Sequence, residues 1–406
     1  IIYIVLALTF GYTMIVAETA IGRMTRKSPV GAFKSFGKKK WLSFGGWINA
    51  VIPVLIVPYY SVIGGWVIKY LVEYFRGNAK LLAEDGYFTD FISNGVSTEL
   101  CFVAFCAFTL IIIFAGVQNG IERVSKIMMP ILIVLSVIIA VYSVTRPGAL
   151  AGVKYFLVPN VKNFSWMTVV SAMGQMFYSL SIAMGILITF GSYMKKDTAI
   201  EDSTRNVEIF DTGIAIMAGL MIIPAVFAFS GGDPDTLQAG PSLMFITIPK
   251  VFQNMGFGTV IGIVFFLLVL FAAVTSSIAL TESAVSTFED ELGWGRKKAT
   301  VLVGVIMLAL GSLSSLGYGP LAGIKIIGMQ FLDLFDFLTN SVMMPIAALL
   351  TSLFVSRVVG IDKIEAEIIH GESAFRRKKV FVVMIKYLCP VFAIIILLSS
   401  VANALG

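Results

Sequence analysis

Histidine occurs once in the 406 residues and cysteine three times. His370 lies in a charged loop, and Cys101, Cys106 and Cys389 each sit in an apolar run without pairing or metal-ligand spacing. These scarcities speak against a disulfide scaffold, a cysteine–histidine zinc site and histidine-based acid–base chemistry. Charge is scarce too. Asp, Glu, Lys and Arg make up 13% of the chain, against about 25% in soluble domains. No linker, low-complexity tract or signal peptide is visible, and the first six residues, IIYIVL, are already apolar.

What fills the chain is apolar surface. Hydrophobic residues reach 58% and the mean hydropathy is +0.91. A helix crossing the hydrocarbon layer needs about 20 predominantly apolar residues. Ten runs qualify: 1–22, 44–72, 100–117, 127–145, 167–193, 208–230, 258–282, 299–316, 331–356 and 380–402. Their joining loops alternate sides. The set 23–43, 118–126, 194–207, 289–298 and 357–379 holds 21 of the 30 Lys and Arg residues, and the opposite loops hold eight. Positive charge gathers on the cytoplasmic side, so residues 1 and 406 are both expected outside. The net charge of +6 follows from that asymmetry and does not indicate nucleic acid. The outer stretch 231–257 is apolar enough to pack as a helical hairpin or lid.

Three spans carry residues that lipid would not favour. In 167–193, Gln175, Tyr178, Ser179 and Ser181 interrupt the apolar run, and Gly174, Gly185 and Gly191 weaken the helix. Close helix packing through small residues explains this, and so does a broken helix whose freed backbone lines a cavity. Asp211 is either the wet end of its helix or an intramembrane carboxylate, which would need a cavity or a partner. Ala272, Thr275 and Ser276 fall at i, i+3 and i+4, on one helical face. Oxygens on that face suit a hard cation such as sodium, although helix packing accounts for them equally.

Eight strings, in order along the chain, resemble the neurotransmitter:sodium symporter family, in its bacterial amino acid transporter branch. They are ETAIGRMTRKSPVGAF (18–33), PYYSVIGGW (58–66), VSKIMMP (124–130), GQMFYSLSIAMGILITFGSY (174–193), AGLMIIPAVFAF (218–229), LFAAVTSSIALTES (270–283), FEDELGWGRKKA (288–299) and FDFLTN (335–340). The resemblance implies an all-α polytopic membrane protein with the leucine-transporter fold, built on inverted repeats with discontinuous helices near mid-membrane. It implies one transport domain over 1–406, corresponding to family helices two to eleven, with the family's first helix missing upstream. Ten of about eleven transmembrane helices would then be present.

The resemblance also implies roles. Substrate would be held by Ile56, Tyr60, Tyr178, Ser181, Met184, Ser276 and Leu280, with Tyr60 donating to the amino acid carboxylate and Tyr178 acting as a lid. One sodium site would use Ala272, Thr275 and Ser276, and a second Ser179 with Asp211, which stands where the family often has asparagine; Asn206 is a weaker alternative. Tyr3, Gln175 and Ser179 match positions that bind chloride in some relatives, but the later serine is Ala215. A fixed carboxylate at Asp211 would make chloride unnecessary. Asp336 matches the outer gate acid, Asp290 the inner one, and Tyr193 would support the inner gate. The expected function is sodium-coupled amino acid symport by alternating access, for a hydrophobic or aromatic substrate, in a plasma membrane, most simply a bacterial inner membrane. A proton-coupled permease of the same fold and a non-transporting amino-acid-binding sensor or channel are the competing readings. The residues show no enzyme constellation.

Overall fold

A computed structural model describes the chain except residues 161, 163, 234–236, 238–239 and 406, and the side chains of 403–405. Among the described residues, nine helices are long and apolar enough to cross a membrane. They are α1 (Ile2–Thr25), α2 (Lys40–Phe75), α3 (Gly95–Phe114), α4 (Val117–Val144), α7 (Ile200–Ser230), α8 (Gly258–Leu292), α9 (Arg296–Leu316), α10 (Phe331–Val359) and α11 (Lys378–Ala402). The remaining apolar run is two pieces, α5 (Trp166–Ser179) and α6 (Ile186–Tyr193). The structure therefore decides between the two readings of 167–193: this helix is broken.

Helix ends extend beyond the hydropathy runs where the sequence turns polar but stays helix-forming. α7 begins at Ile200, so Asp211 lies three turns inside a continuous helix and is not its end. α8 runs to Leu292, which puts Asp290 in its last turn. α1 closes with Arg26 in the left-handed conformation (φ 56°), its N–H bonded to the Gly22 carbonyl at 2.9 Å. α2 keeps two prolines, Pro53 and Pro58. Each removes one backbone donor and frees a carbonyl a turn earlier, in the stretch that carries Ile56 and Tyr60.

The core forms where α2 packs along α8 and α3, α6 along α1, and α7 along α4. Outward faces stay apolar: Leu100, Ile111, Val134, Ile209 and Val301 are all exposed, as lipid contact requires. The three cysteines are free, two of them buried. Of the outer stretch 231–257, part lies outside the described residues. The rest includes an apolar helix, Leu243–Gln253, whose Phe245 is stacked on Phe88 with ring centroids 5.2 Å apart. Its carbonyl accepts the Tyr70 hydroxyl at 2.7 Å, which ties this segment to the outer half of α2.

Candidate functional site

Between Ser179 and Ile186 the backbone leaves the helix. Ser181 and Ala183 take positive φ values of 54° and 58°, and Gly185 one of 72°. For non-glycine residues that conformation costs about 1–3 kcal/mol each and persists only where the surroundings enforce it. The enforcement comes from α1. Glu18 is fully buried, and its Oε1 accepts the Ala183 N–H at 2.7 Å. Glu18 opens the string ETAIGRMTRKSPVGAF, and the sequence assigns it no role. Its signal was a lone carboxylate in the apolar run IVAETAIG.

The break opens a cavity of about 170 Å³ lined by Ile56, Tyr60, Tyr178, Ser179, Ser181, Met184, Ile186, Ser276, Ala279 and Leu280. All seven residues expected to hold substrate line it, joined by Ser179, Ile186 and Ala279. Ile56 and Tyr60 sit one turn apart on α2, and Ser276 and Leu280 one turn apart on α8, so two helix faces oppose the broken segment. The lining carries hydroxyl groups and aliphatic chains and no carboxylate, ammonium or guanidinium.

Ser276 is exposed to this cavity, whereas Ala272 and Thr275 are half-buried beside it. The Thr275 hydroxyl donates within its own helix, to the carbonyls of Phe271 and Ala272, each at 3.0 Å. That arrangement occupies the proton and leaves the lone pairs of the oxygen, which are what a cation needs. A shift of the proton wholly onto Phe271 would release the Ala272 carbonyl.

A second cluster lies behind the cavity. The Tyr3 hydroxyl donates to Asp211 Oδ2 at 2.6 Å, and Ser179 Oγ donates to Asp211 Oδ1 at 2.6 Å. Tyr3 also lies 3.1 Å from Ser179 Oγ. Asp211 is thus an intramembrane carboxylate satisfied by two hydroxyls, with no cationic side chain paired to it among the described residues. Gln175 stays outside this cluster; with Tyr3 and Ala215 it lines a separate cavity of about 430 Å³. Among the described residues no group of three or more His, Cys, Asp or Glu side chains could hold a metal ion.

The two gate positions lie at opposite ends of the bundle. Asp336 accepts the Tyr59 hydroxyl at 3.2 Å and the Asn340 amide at 2.6 Å. At the other end Asp290 accepts the Ser28 backbone N–H at 2.5 Å. Tyr193 does not reach Asp290; its hydroxyl donates to Glu282 at 2.7 Å. Glu282, fully buried, also takes a bidentate pair from Arg296 at 3.0 and 2.5 Å. Glu282 is a second residue that sequence reasoning missed, again a single carboxylate in an apolar and hydroxyl-rich run.

A polytopic helical bundle, broken at mid-span around a cavity lined by hydroxyl groups and apolar side chains, is an architecture that suits a membrane transporter. Residues 88–405 match the Sodium:neurotransmitter symporter family. An uncharacterized sodium-dependent transporter of Bacillus subtilis, YhdH, is 33% identical over 98% of this chain and 89% of its own length. One from Haemophilus influenzae is 30% identical over 98% and 89%. The crystal structure of MhsT in complex with L-phenylalanine superposes with a TM-score of 0.88 at 33% identity, over 98% of this chain and 90% of that one. The chain belongs to the Sodium:neurotransmitter symporter family. It is a multi-pass membrane protein with the leucine-transporter fold, and its family is one of sodium-coupled transporters, not enzymes.

Proposed function

We propose that this protein is a sodium-coupled symporter of a neutral, hydrophobic or aromatic amino acid, with residues 1–406 acting as one transport domain. The observation that carries the substrate class is the cavity at the helix break. Its walls offer Tyr60, Ser181 and Ser276 to the polar end of an amino acid and Ile56, Met184, Ile186 and Leu280 to its side chain. A charged side chain buried there would meet no opposite charge, and burying an unpaired charge is strongly unfavourable. The likeness to a transporter solved with L-phenylalanine supports the same class.

In this reading Tyr60 donates to the substrate carboxylate and Tyr178 covers the site. Ala272, Thr275 and Ser276 supply oxygens to one sodium ion, and Ser179 with Asp211 to another. Asp211 also provides fixed negative charge where chloride sits in some relatives, so transport proceeds without chloride. Asp336 and Asp290 close the outer and inner ends in turn, and Tyr193 acts at the inner end through Glu282 and not on Asp290. Bacterial relatives support placement in an inner membrane. Each cation carried inward gains about 2.3 kcal/mol per 100 mV of inside-negative potential.

The test is uptake into proteoliposomes. Labelled phenylalanine, tyrosine, tryptophan and leucine should accumulate under an inward sodium gradient in chloride-free buffer, while glutamate and lysine should not. Accumulation driven by a proton gradient without sodium would replace this reading with a proton-coupled permease. Binding without accumulation would replace it with a sensor.

A further inference from the structure

The cytoplasmic segment between α1 and α2 carries charge that transport does not use. Lys38, Lys39 and Lys40 are consecutive and exposed. Among the described residues none of the three forms an ion pair. Lys40 opens α2, and Phe44 and Trp47 follow at i+4 and i+7, so these three share one helical face. Both rings stand outward, Phe44 55% exposed and Trp47 39%. The next residues turn inward: Gly45 packs against Phe33 and Leu350, and Gly46 against Val30.

Two more lysines border the patch. The Lys34 ammonium lies 5.9 Å from the centre of the Trp47 ring, and that of Lys363 lies 5.6 Å from the Phe36 ring. Lys34 pairs with Glu291, and Asp362 adjoins Lys363 in the chain, so positive charge remains in excess. Depth fits a membrane surface. The 36 residues of α2 span roughly 54 Å, more than the 40–45 Å or so of a bilayer with its headgroups. Its lysine end therefore emerges at headgroup level, and Phe44 and Trp47 lie about 6 and 10 Å further in, where aromatic belts sit.

We propose that this face is a binding site for an anionic phospholipid of the cytoplasmic leaflet. Lys38, Lys39 and Lys40 hold the phosphate, and Phe44 and Trp47 pack against the glycerol and upper acyl chain. The site lies at the start of the helix that carries Ile56 and Tyr60, so an occupied site fixes the base of one cavity wall.

Native mass spectrometry of the purified protein tests the site with two probes, phosphatidylglycerol and phosphatidylcholine of matched chains. Wild type should retain phosphatidylglycerol over phosphatidylcholine, and the preference should fall about fivefold for each lysine changed to glutamine. A K38Q/K39Q/K40Q variant should lose the preference, whereas K195Q/K196Q, which removes cytoplasmic charge elsewhere, should keep it. F44A/W47A should weaken retention of both lipids at unchanged unfolding temperature. Equal loss in the two lysine variants would overturn the proposal, as would full displacement of the lipid by glycerol 3-phosphate, which would make the patch a site for free phosphate.

Discussion

In the proposed reading the Asp211 carboxylate takes the place of a mobile anion. Two hydroxyls, from Tyr3 and Ser179, point at it at 2.6 Å, the donor arrangement that an anion would need. Asp211→Asn removes the charge and keeps the size. Chloride-free uptake should fall at least about tenfold, the order expected when a charge-assisted hydrogen bond of roughly 1.5–3 kcal/mol is lost. Adding Ala215→Ser should restore part of the uptake, now only with chloride present. Retention of full chloride-free uptake by Asp211→Asn would show that the carboxylate does not serve as the anion. Glu18 sets a second test at this scale. Glu18→Leu leaves the Ala183 N–H buried without an acceptor, a loss of about 1–3 kcal/mol, and should lower both thermal stability and uptake. Glu18→Gln keeps an acceptor oxygen and should retain a larger share of both; equal damage from the two would place the effect in the charge and not in the bond.

At the level of elements, most of the bundle was legible because lipid imposes a simple rule of apolar length: among the described residues nine of the ten apolar runs are each carried by one spanning helix, and the tenth by the two pieces α5 and α6. The break at 180–185 was legible only as one of two readings. Glycines and hydroxyls in a membrane helix serve close packing as readily as unwinding, and the choice depends on Glu18, about 165 residues away in the chain. The reach of α7 back to Ile200 was not legible either, since hydropathy marks where a helix enters lipid and not where it starts. The substrate-facing residues were legible through the family resemblance, whereas Glu18 and Glu282 lie within the same strings and still escaped, because their partners are set by packing. The break itself can be tested at Gly185. A Cβ there would lie 2.7 Å from Pro29 Cγ and 2.8 Å from the Asn49 carbonyl oxygen, at a φ of +72°. The backbone conformation alone costs an L-residue about 1–2 kcal/mol, and the contacts add to it. Gly185→Ala should lower the unfolding temperature by several degrees and abolish uptake. Gly174, in the helical part before the break, has nothing within 4 Å of such a Cβ. Gly174→Ala should be neutral or slightly stabilising, and a comparable loss there would mean that the whole stretch, not the break, resists side chains.

Across the whole molecule, the middle of α1 is tied to the cytoplasmic ends of α7 and α11. Glu201, near the start of α7, accepts the Tyr12 hydroxyl and the backbone N–H groups of Arg376 and Arg377, the last two at 2.6 and 3.1 Å. Arg377 lies over the Tyr12 ring at 4.4 Å and reaches Glu208 with two parallel bonds of 3.1 Å. Nearby, Arg23 pairs with Glu367 at 2.7 Å. The helices that border the Asp211 cluster are therefore clamped to the chain entering α11, and a rocking motion must carry this knot along or undo it. Glu208 is only 2% exposed while the Arg377 side chain is 34% exposed, so Arg377→Met leaves a buried carboxylate unpaired, at a loss below the roughly 3–5 kcal/mol of a fully buried pair because water reaches the arginine side. Replacing both members, Arg377→Met with Glu208→Leu, removes the uncompensated charge and should recover most of that stability, since a buried pair exchanged for apolar groups is often neutral. Unfolding of the purified variants in detergent measures the stability terms, and uptake by the double variant measures the mechanical one. If the knot travels intact with the moving helices, the stable double variant should transport at close to the wild-type rate. If it must open on each cycle, removing it should raise the rate, and a stable double variant that fails to transport would mean that the ion pair transmits motion from α7 to α11.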